Sequence, residues 1–267
     1  MTPAWRTLVI AACVGATLSL ADCAMANFTR AELNAVAAVP PPHATLPLGL
    51  VLRDEKEHRL SIGDAIAGVP AVVIFADYTC RTLCGPIVSF VAAGLAKSGL
   101  RPGTEYHLIV IGLNPRNGVS DARAMRAKHL GDDPVGRATD FLTADEPTIH
   151  SATTALGLRY AYDEQNDQYA HPAAAYIVDS AGQVRRLLSP LGLDGGDLRL
   201  AIVDAGRGSI GTLADHIHLL CYGYDPTQGV YTERITMMLG YAAGSTLLLL
   251  MAGISIMVMR ERRRAAP

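Results

Sequence analysis

Cys80-Arg81-Thr82-Leu83-Cys84 is where these residues most readily support chemistry, because two thiols at i and i+4 share one face of a helix or close over a short loop. Pro86 lacks an amide hydrogen and suits only a first helical turn. The helix must therefore begin between Leu83 and Gly85, with Cys80 on the loop and Cys84 at the helix start. Free amides and the positive end of the helix dipole at that point favour thiolate over thiol, and Arg81 adds a positive charge. Two sulfurs form a soft pair suited to Cu(I) or Zn(II), but they leave such an ion under-coordinated and call for a third ligand. Of the eight histidines, His58 falls in a charged hairpin, His107, His129 and His150 at element ends and His43 in a linker, where solvated side chains are expected. His171 differs. It follows the polar loop 163–168 and precedes a strand at 174–178 that could neighbour the first strand of a sheet. The residues alone leave His171 open between ligand and ordinary surface histidine. A second cluster, His216-x-His218-x2-Cys221, would place both imidazoles on one face if extended. Its alternative is a juxtamembrane segment with Tyr222, Tyr224 and Tyr231 at the lipid interface.

The elements that must position the cysteines are legible around them. The run 69–76 is continuously apolar, as expected of a strand buried on both faces. Before it, 48–52 and 58–62 flank the charged turn 54–57 and read as a hairpin leading into a short helix at 64–67. After it come a helix at 86–97, a strand at 107–113, a helix at 120–129, a strand at 139–142 and a helix at 146–156. Strands at 174–178 and 184–188 then close on a turn at 179–182, and a last helix fits 195–205. Strands interleaved with helices and ending on a hairpin define an α/β class with a mixed sheet.

The flanks carry the excess of apolar residues. Half of the 267 residues are hydrophobic while 6% are aromatic. An apolar run at 8–21 follows Arg6, and Ala24-Met25-Ala26 has the small-x-small pattern of a cleavage site, so 1–26 reads as a signal peptide. Residues 27–45, with Pro40-Pro41-Pro42, read as a linker, and 208–238 as a juxtamembrane segment. The stretch 239–259 is uncharged, and at ~1.5 Å per residue it reaches across the roughly 30 Å hydrocarbon core. Arg260, Arg262, Arg263 and Arg264 follow at once and mark 260–267 as a cytoplasmic tail. The domain is then expected on the periplasmic side of the inner membrane. Losing the leader discards Cys13 and Cys23. Too few cysteines remain for a disulfide scaffold, and the close pair reads as redox-active or metal-binding. The formal net charge of −2 supplies no basic field for a phosphate backbone, which excludes nucleic acid as a partner class.

Phe75-Ala76-Asp77-Tyr78-Thr79-Cys80-Arg81-Thr82-Leu83-Cys84-Gly85-Pro86 resembles the strand-then-C-x-x-x-C signature of SCO/SenC proteins. Ala170-His171-Pro172-Ala173-Ala174-Ala175-Tyr176-Ile177-Val178-Asp179 is similar to that family's histidine segment. The resemblance covers about Leu46 to Ala205 of a domain expected over 46–207, with Leu113-Asn114-Pro115-Arg116 in the place of a D-P-x-x-D stretch. It implies a thioredoxin-like fold in which Cys80, Cys84 and His171 bind one copper ion, Cu(I) or Cu(II). The implied cargo, copper or reducing equivalents, goes to the binuclear copper site of cytochrome c oxidase. The implied partners are the oxidase's copper-bearing subunit, a copper donor protein and the membrane. Asn114 and Asn117 depart from the usual acidic residues, Arg81 from the usual proline, and Pro172 from a small hydroxyl residue. Copper delivery, thiol-disulfide reduction by Cys80 and Cys84, and a non-catalytic interaction module all stand as readings of the sequence.

Overall fold

The computed structural model describes residues 36–81 and 84–206 and, beyond them, 210–212, 214–216, 219, 222–225, 230–233, 243–253 and 256–257. The signal segment 1–26, the tail 260–267 and Cys13, Cys23, His218 and Cys221 lie outside the described residues.

The described residues open with β1 (Ala37–Ala38) and a hairpin of β2 (Val51–Arg53) and β3 (Arg59–Ser61). Ser61 then caps α1 (Ile62–Ile66), its Oγ accepting from the Asp64 N–H at 3.0 Å. The central strand β4 (Ala71–Ala76) leads to α2 (Cys84–Ser98), β5 (His107–Gly112), α3 (Val119–His129), α4 (Pro134–Arg137), β6 (Thr139–Leu142) and α5 (Glu146–Ala155). Short strands β7 (Leu158–Arg159), β8 (Ala161–Asp163) and β9 (Gln168–Ala170) precede β10 (Ala175–Val178), β11 (Val184–Leu188) and α6 (Gly195–Ala205). A further hairpin joins β12 (Tyr222–Asp225) to β13 (Val230–Glu233).

Five strands form the main sheet in the order β11-β10-β4-β5-β6. β4, β5 and β6 run parallel, while β10 runs antiparallel to both β4 and β11. This is the α/β class and mixed sheet that the alternating pattern predicts. Every residue of β4 is buried, and the two-residue period of a strand divides them between two cores. Val72, Ile74 and Ala76 face Val88, Val91 and Leu95 of α2 and Leu198, Ala201 and Ile202 of α6. Ala71, Val73 and Phe75 face Ile62 and Ile66 of α1 and Ile149 and Ala152 of α5. A strand covered on both faces has no use for alternating polar residues, which is why 69–76 reads as one apolar run.

Two expectations need revision. Part of the expected linker is packed: Ala37–Ala38 pairs with β7, and Ala44 is buried. The polar loop at 163–168 is the tip of an antiparallel hairpin, β8 with β9, in register Tyr162 to Tyr169. Among the described residues, no helix is long and apolar enough to cross a membrane. Within the expected span 239–259, residues 243–253 and 256–257 are helical, with Leu247, Leu248, Leu249 and Leu250 exposed, and the remainder lies outside the described residues.

Candidate thiol and metal site

The cysteine loop leaves the C-terminal end of β4 and is rooted by Tyr78. The ring of Tyr78 is buried, and its hydroxyl lies 2.8 Å from the carbonyl oxygens of both Val110, within β5, and Leu142, at the end of β6. Gly112 permits this approach, since a Cβ there would come within 3.0 Å of the Tyr78 ring. The Tyr78 N–H donates to Asn117 Oδ1 at 2.9 Å, and Asn117 Nδ2 donates to Thr79 Oγ1 at 3.2 Å. An amide can accept from one neighbour and donate to the other. A carboxylate could only accept, which accounts for asparagine at this position. The Cys80 N–H then closes a turn onto the Asp77 carbonyl at 3.1 Å. Cys80 is half-buried on the loop and Cys84 is buried at the first position of α2, as the position of Pro86 requires.

His171 arrives at the entry to the neighbouring strand, β10. β10 runs antiparallel to β4, with Ala175 opposite Ile74, so the residues entering β10 stand beside the residues leaving β4. Cys84 Sγ lies 3.2 Å from His171 Nε2. On the other edge of the ring, His171 Nδ1 lies 3.1 Å from the Pro172 carbonyl oxygen. A carbonyl only accepts, so Nδ1 carries the proton. In the neutral ring Nε2 then offers its lone pair to the sulfur side. Burial holds His171 below the ordinary histidine range, against the opposing pull of the Pro172 carbonyl and the charges of Cys80 and Asp77. The neutral form is therefore the resident one near pH 7.

The sulfurs behave differently from what the helix start alone predicts. Cys84 is pushed far above the ordinary thiol range, first by its hydrogen bond to Cys80, then by burial and the charge of Cys80. Cys84 thus holds its proton within the pair, and the helix-dipole argument for a Cys84 thiolate fails. No disulfide joins the two. Among the described residues, no three His, Cys, Asp or Glu side chains are gathered closely enough to hold a metal ion as they stand. The structure brings Cys84 to His171, with Cys80 close enough to Cys84 to raise its pKa.

His129 was expected to be solvated and is not. Its ring packs on Gly85, where a Cβ would meet Nε2 at 2.1 Å, and burial lowers its pKa. His216 sits in a helical stretch, 214–216, so the extended geometry that would align it with His218 is not adopted there. What sequence reasoning missed entirely is Asp77. Its buried carboxylate accepts from the Thr79 N–H and Oγ1 at 3.1 and 2.8 Å, and from the Tyr169 N–H at 2.9 Å. A charged residue at the end of an apolar strand was the available signal.

No protein-family model matches the sequence, and no curated protein matches it. Solved structures do. A SCO1/SenC family lipoprotein from Bacillus anthracis str. Ames superposes with a TM-score of 0.52 at 18% identity, over 65% of this chain and 100% of its own. BsSco, a member of the Sco family of cytochrome c oxidase assembly proteins, gives 0.51 at 16% identity, over 64% and 98%. ScoI of Arabidopsis thaliana, with copper bound, gives 0.50 at 16% identity, over 60% and 98%. The chain shares the fold of these structures, and its mixed five-stranded sheet agrees with a thioredoxin-like architecture.

Proposed function

We propose that this chain is an SCO/SenC-type protein in which Cys80, Cys84 and His171 bind copper as cargo for assembly of the binuclear copper site of cytochrome c oxidase. The observation that carries the reading is the 3.2 Å approach of Cys84 Sγ to His171 Nε2. Thiolate and neutral imidazole are the donor types that copper takes in either oxidation state, and a ring whose Nδ1–H is held by a carbonyl presents Nε2 as the ligand. The copper-bound fold relative supports the same reading. For all three residues to share one ion, the half-buried Cys80 side chain must turn toward Nε2. Cys80 stands on the loop outside the helix, packed against the margin of the core. The full chain, reduced anaerobically and titrated with Cu(I) and with Cu(II), is expected to take up one copper. The Cys80→Ser, Cys84→Ser double variant should take up none. Equal uptake by both would overturn the assignment.

A second reading, thiol-disulfide reduction of oxidase cysteines, is favoured by the closeness of the two cysteines along a short loop, near enough for Cys80 to raise the Cys84 pKa. A dithiol that retains its proton on the buried member presents the outer sulfur for exchange. Differential thiol labelling under graded redox buffers tests it, since reversible loss of both thiols is expected. The domain is further proposed to face outward from the inner membrane, anchored by 239–259 with 260–267 inside. A reporter active only outside the cytoplasm, fused after Pro267, should then be silent.

A further inference from the structure

His171 reaches Cys84 from a segment outside the main sheet. The β8–β9 hairpin forms a separate two-stranded sheet, and His171 follows β9 directly. In an antiparallel ladder, residues facing each other alternate between pairs that exchange hydrogen bonds and pairs that do not. Tyr162 and Tyr169 face each other, and the Tyr169 N–H points out of the hairpin to Asp77 Oδ2, 2.9 Å away. Thr79, on the cysteine loop, supplies both donors to the other oxygen, Oδ1. The carboxylate is fully buried and spans the two partners, one on each oxygen. At the hairpin tip Arg116 Nη2 meets Asp167 Oδ1 at 2.7 Å, but both side chains are largely exposed and such a pair holds weakly.

We propose that Asp77 is the positioning residue that sets His171 against Cys84, by clamping β9 to the cysteine turn through its two carboxylate oxygens. The inference rests on the reading that Cys84 and His171 act together, and it assigns Asp77 no contact with the cargo itself. A carboxylate is required because both partners are donors. Asparagine has the same shape and one oxygen, so it must abandon either Thr79 or Tyr169. A supporting residue that orients a ligand in this way typically changes metal affinity by about 10–100-fold when lost.

The test compares Asp77→Asn with the parent as full-length chains, in the parent and the His171→Ala backgrounds. In metal-free protein, amide exchange at Tyr169 should become at least about tenfold faster. The imidazole 15N signature of His171 should change from a single Nδ1-protonated form to a mixture. Cu(II) affinity should fall by about tenfold in the parent background and not at all in His171→Ala, because a clamp acts only through the ring it positions. An unchanged His171 signature, or equal loss of affinity in both backgrounds, overturns the proposal. Should Asp77→Asn fail to fold, the Tyr169 amide of the parent decides. Exchange more than about tenfold slower than an unprotected amide supports the clamp, and faster exchange overturns it. If even the parent takes up no copper, the copper reading falls, while the exchange and imidazole measurements still judge the clamp.

Discussion

His171 turns Nε2 to the Cys84 sulfur at 3.2 Å while its Nδ1–H is held by the Pro172 carbonyl. Removing the ring in His171→Ala takes away the nitrogen donor and leaves two sulfurs, which suit Cu(I) but cannot enforce the coordination Cu(II) prefers. Cu(II) affinity is expected to fall by about 100-fold or more, beyond what a supporting residue costs. The Cys80–Cys84 reduction potential should move little. Competition titrations in each oxidation state, run beside a redox titration, check both halves. Undiminished Cu(II) affinity would remove His171 from the ligand set and put thiol reduction first.

The burial of His171 also makes a statement about pH. Its folded pKa lies below the ordinary value, so the unfolded chain takes up a proton first as the pH falls. The stability tied to the neutral ring is fully present above about pH 6.5 and is lost as the pH falls toward the folded value. Reduced, metal-free parent should lose stability more steeply than His171→Ala between about pH 8 and 5 in denaturant titrations. Using the variant as the reference removes the parallel contribution of His129, which burial also lowers. Superimposable pH profiles would contradict the buried, neutral assignment.

Asp215 fastens the segment after α6 to that helix. Its oxygens accept from Arg199 Nε and Nη2 at 2.6 and 2.7 Å, and from the Thr212 N–H and Oγ1 at 2.6 and 2.8 Å. The Arg199 guanidinium is the first cause holding the Asp215 carboxyl far below the usual range, and this stability is lost only as the pH falls through that depressed value. Asp215→Asn should cost about 2 kcal/mol, since Arg199 is left half-buried with an incomplete partner. Thermal unfolding of the two proteins at neutral pH is the check. A change within about 0.5 kcal/mol would mean that the segment contributes nothing to the fold.

Gly94 tests the packing of α2 against the turn before α6. Alanine would gain about 1 kcal/mol in helix propensity. Its Cβ would, however, stand 2.2 Å from the Leu193 carbonyl oxygen, which is backbone and cannot swing aside. Overpacking should win, so that Gly94→Ala is destabilised by about 1–3 kcal/mol in denaturant titration. A stabilised variant would show that the two elements separate at little cost.

The strands and helices that bury a continuous face were legible because their pattern is local. Strand 139–142, strand 184–188 and helix 195–205 fall where the pattern puts them, and α2 as described begins at Cys84, inside the 83–85 window set by Pro86. The β8–β9 hairpin was not legible, because three-residue strands half-exposed on both sides carry no periodicity. Cys80 and Cys84 could be read from spacing alone. The choice of His171 among eight histidines needed the family resemblance, since nothing local distinguishes a ring that meets its partner across 87 positions. Asp77 escaped for the same reason: its meaning lies in Tyr169, 92 positions away.

The antiparallel pairing of β10 with β4 fixes a chronology as well as a geometry. A chain made from its N-terminus presents Cys80 and Cys84 well before residues 168–178 exist. Loop closure over that distance is accomplished by completing the sheet, not by any ligand. Until β10 docks, the two thiols stand without their imidazole and without the strand that covers them, open to any oxidant they meet. The nascent chain is therefore most open to oxidation at the two thiols proposed above as its chemistry, and faster closure of the sheet shortens that exposure.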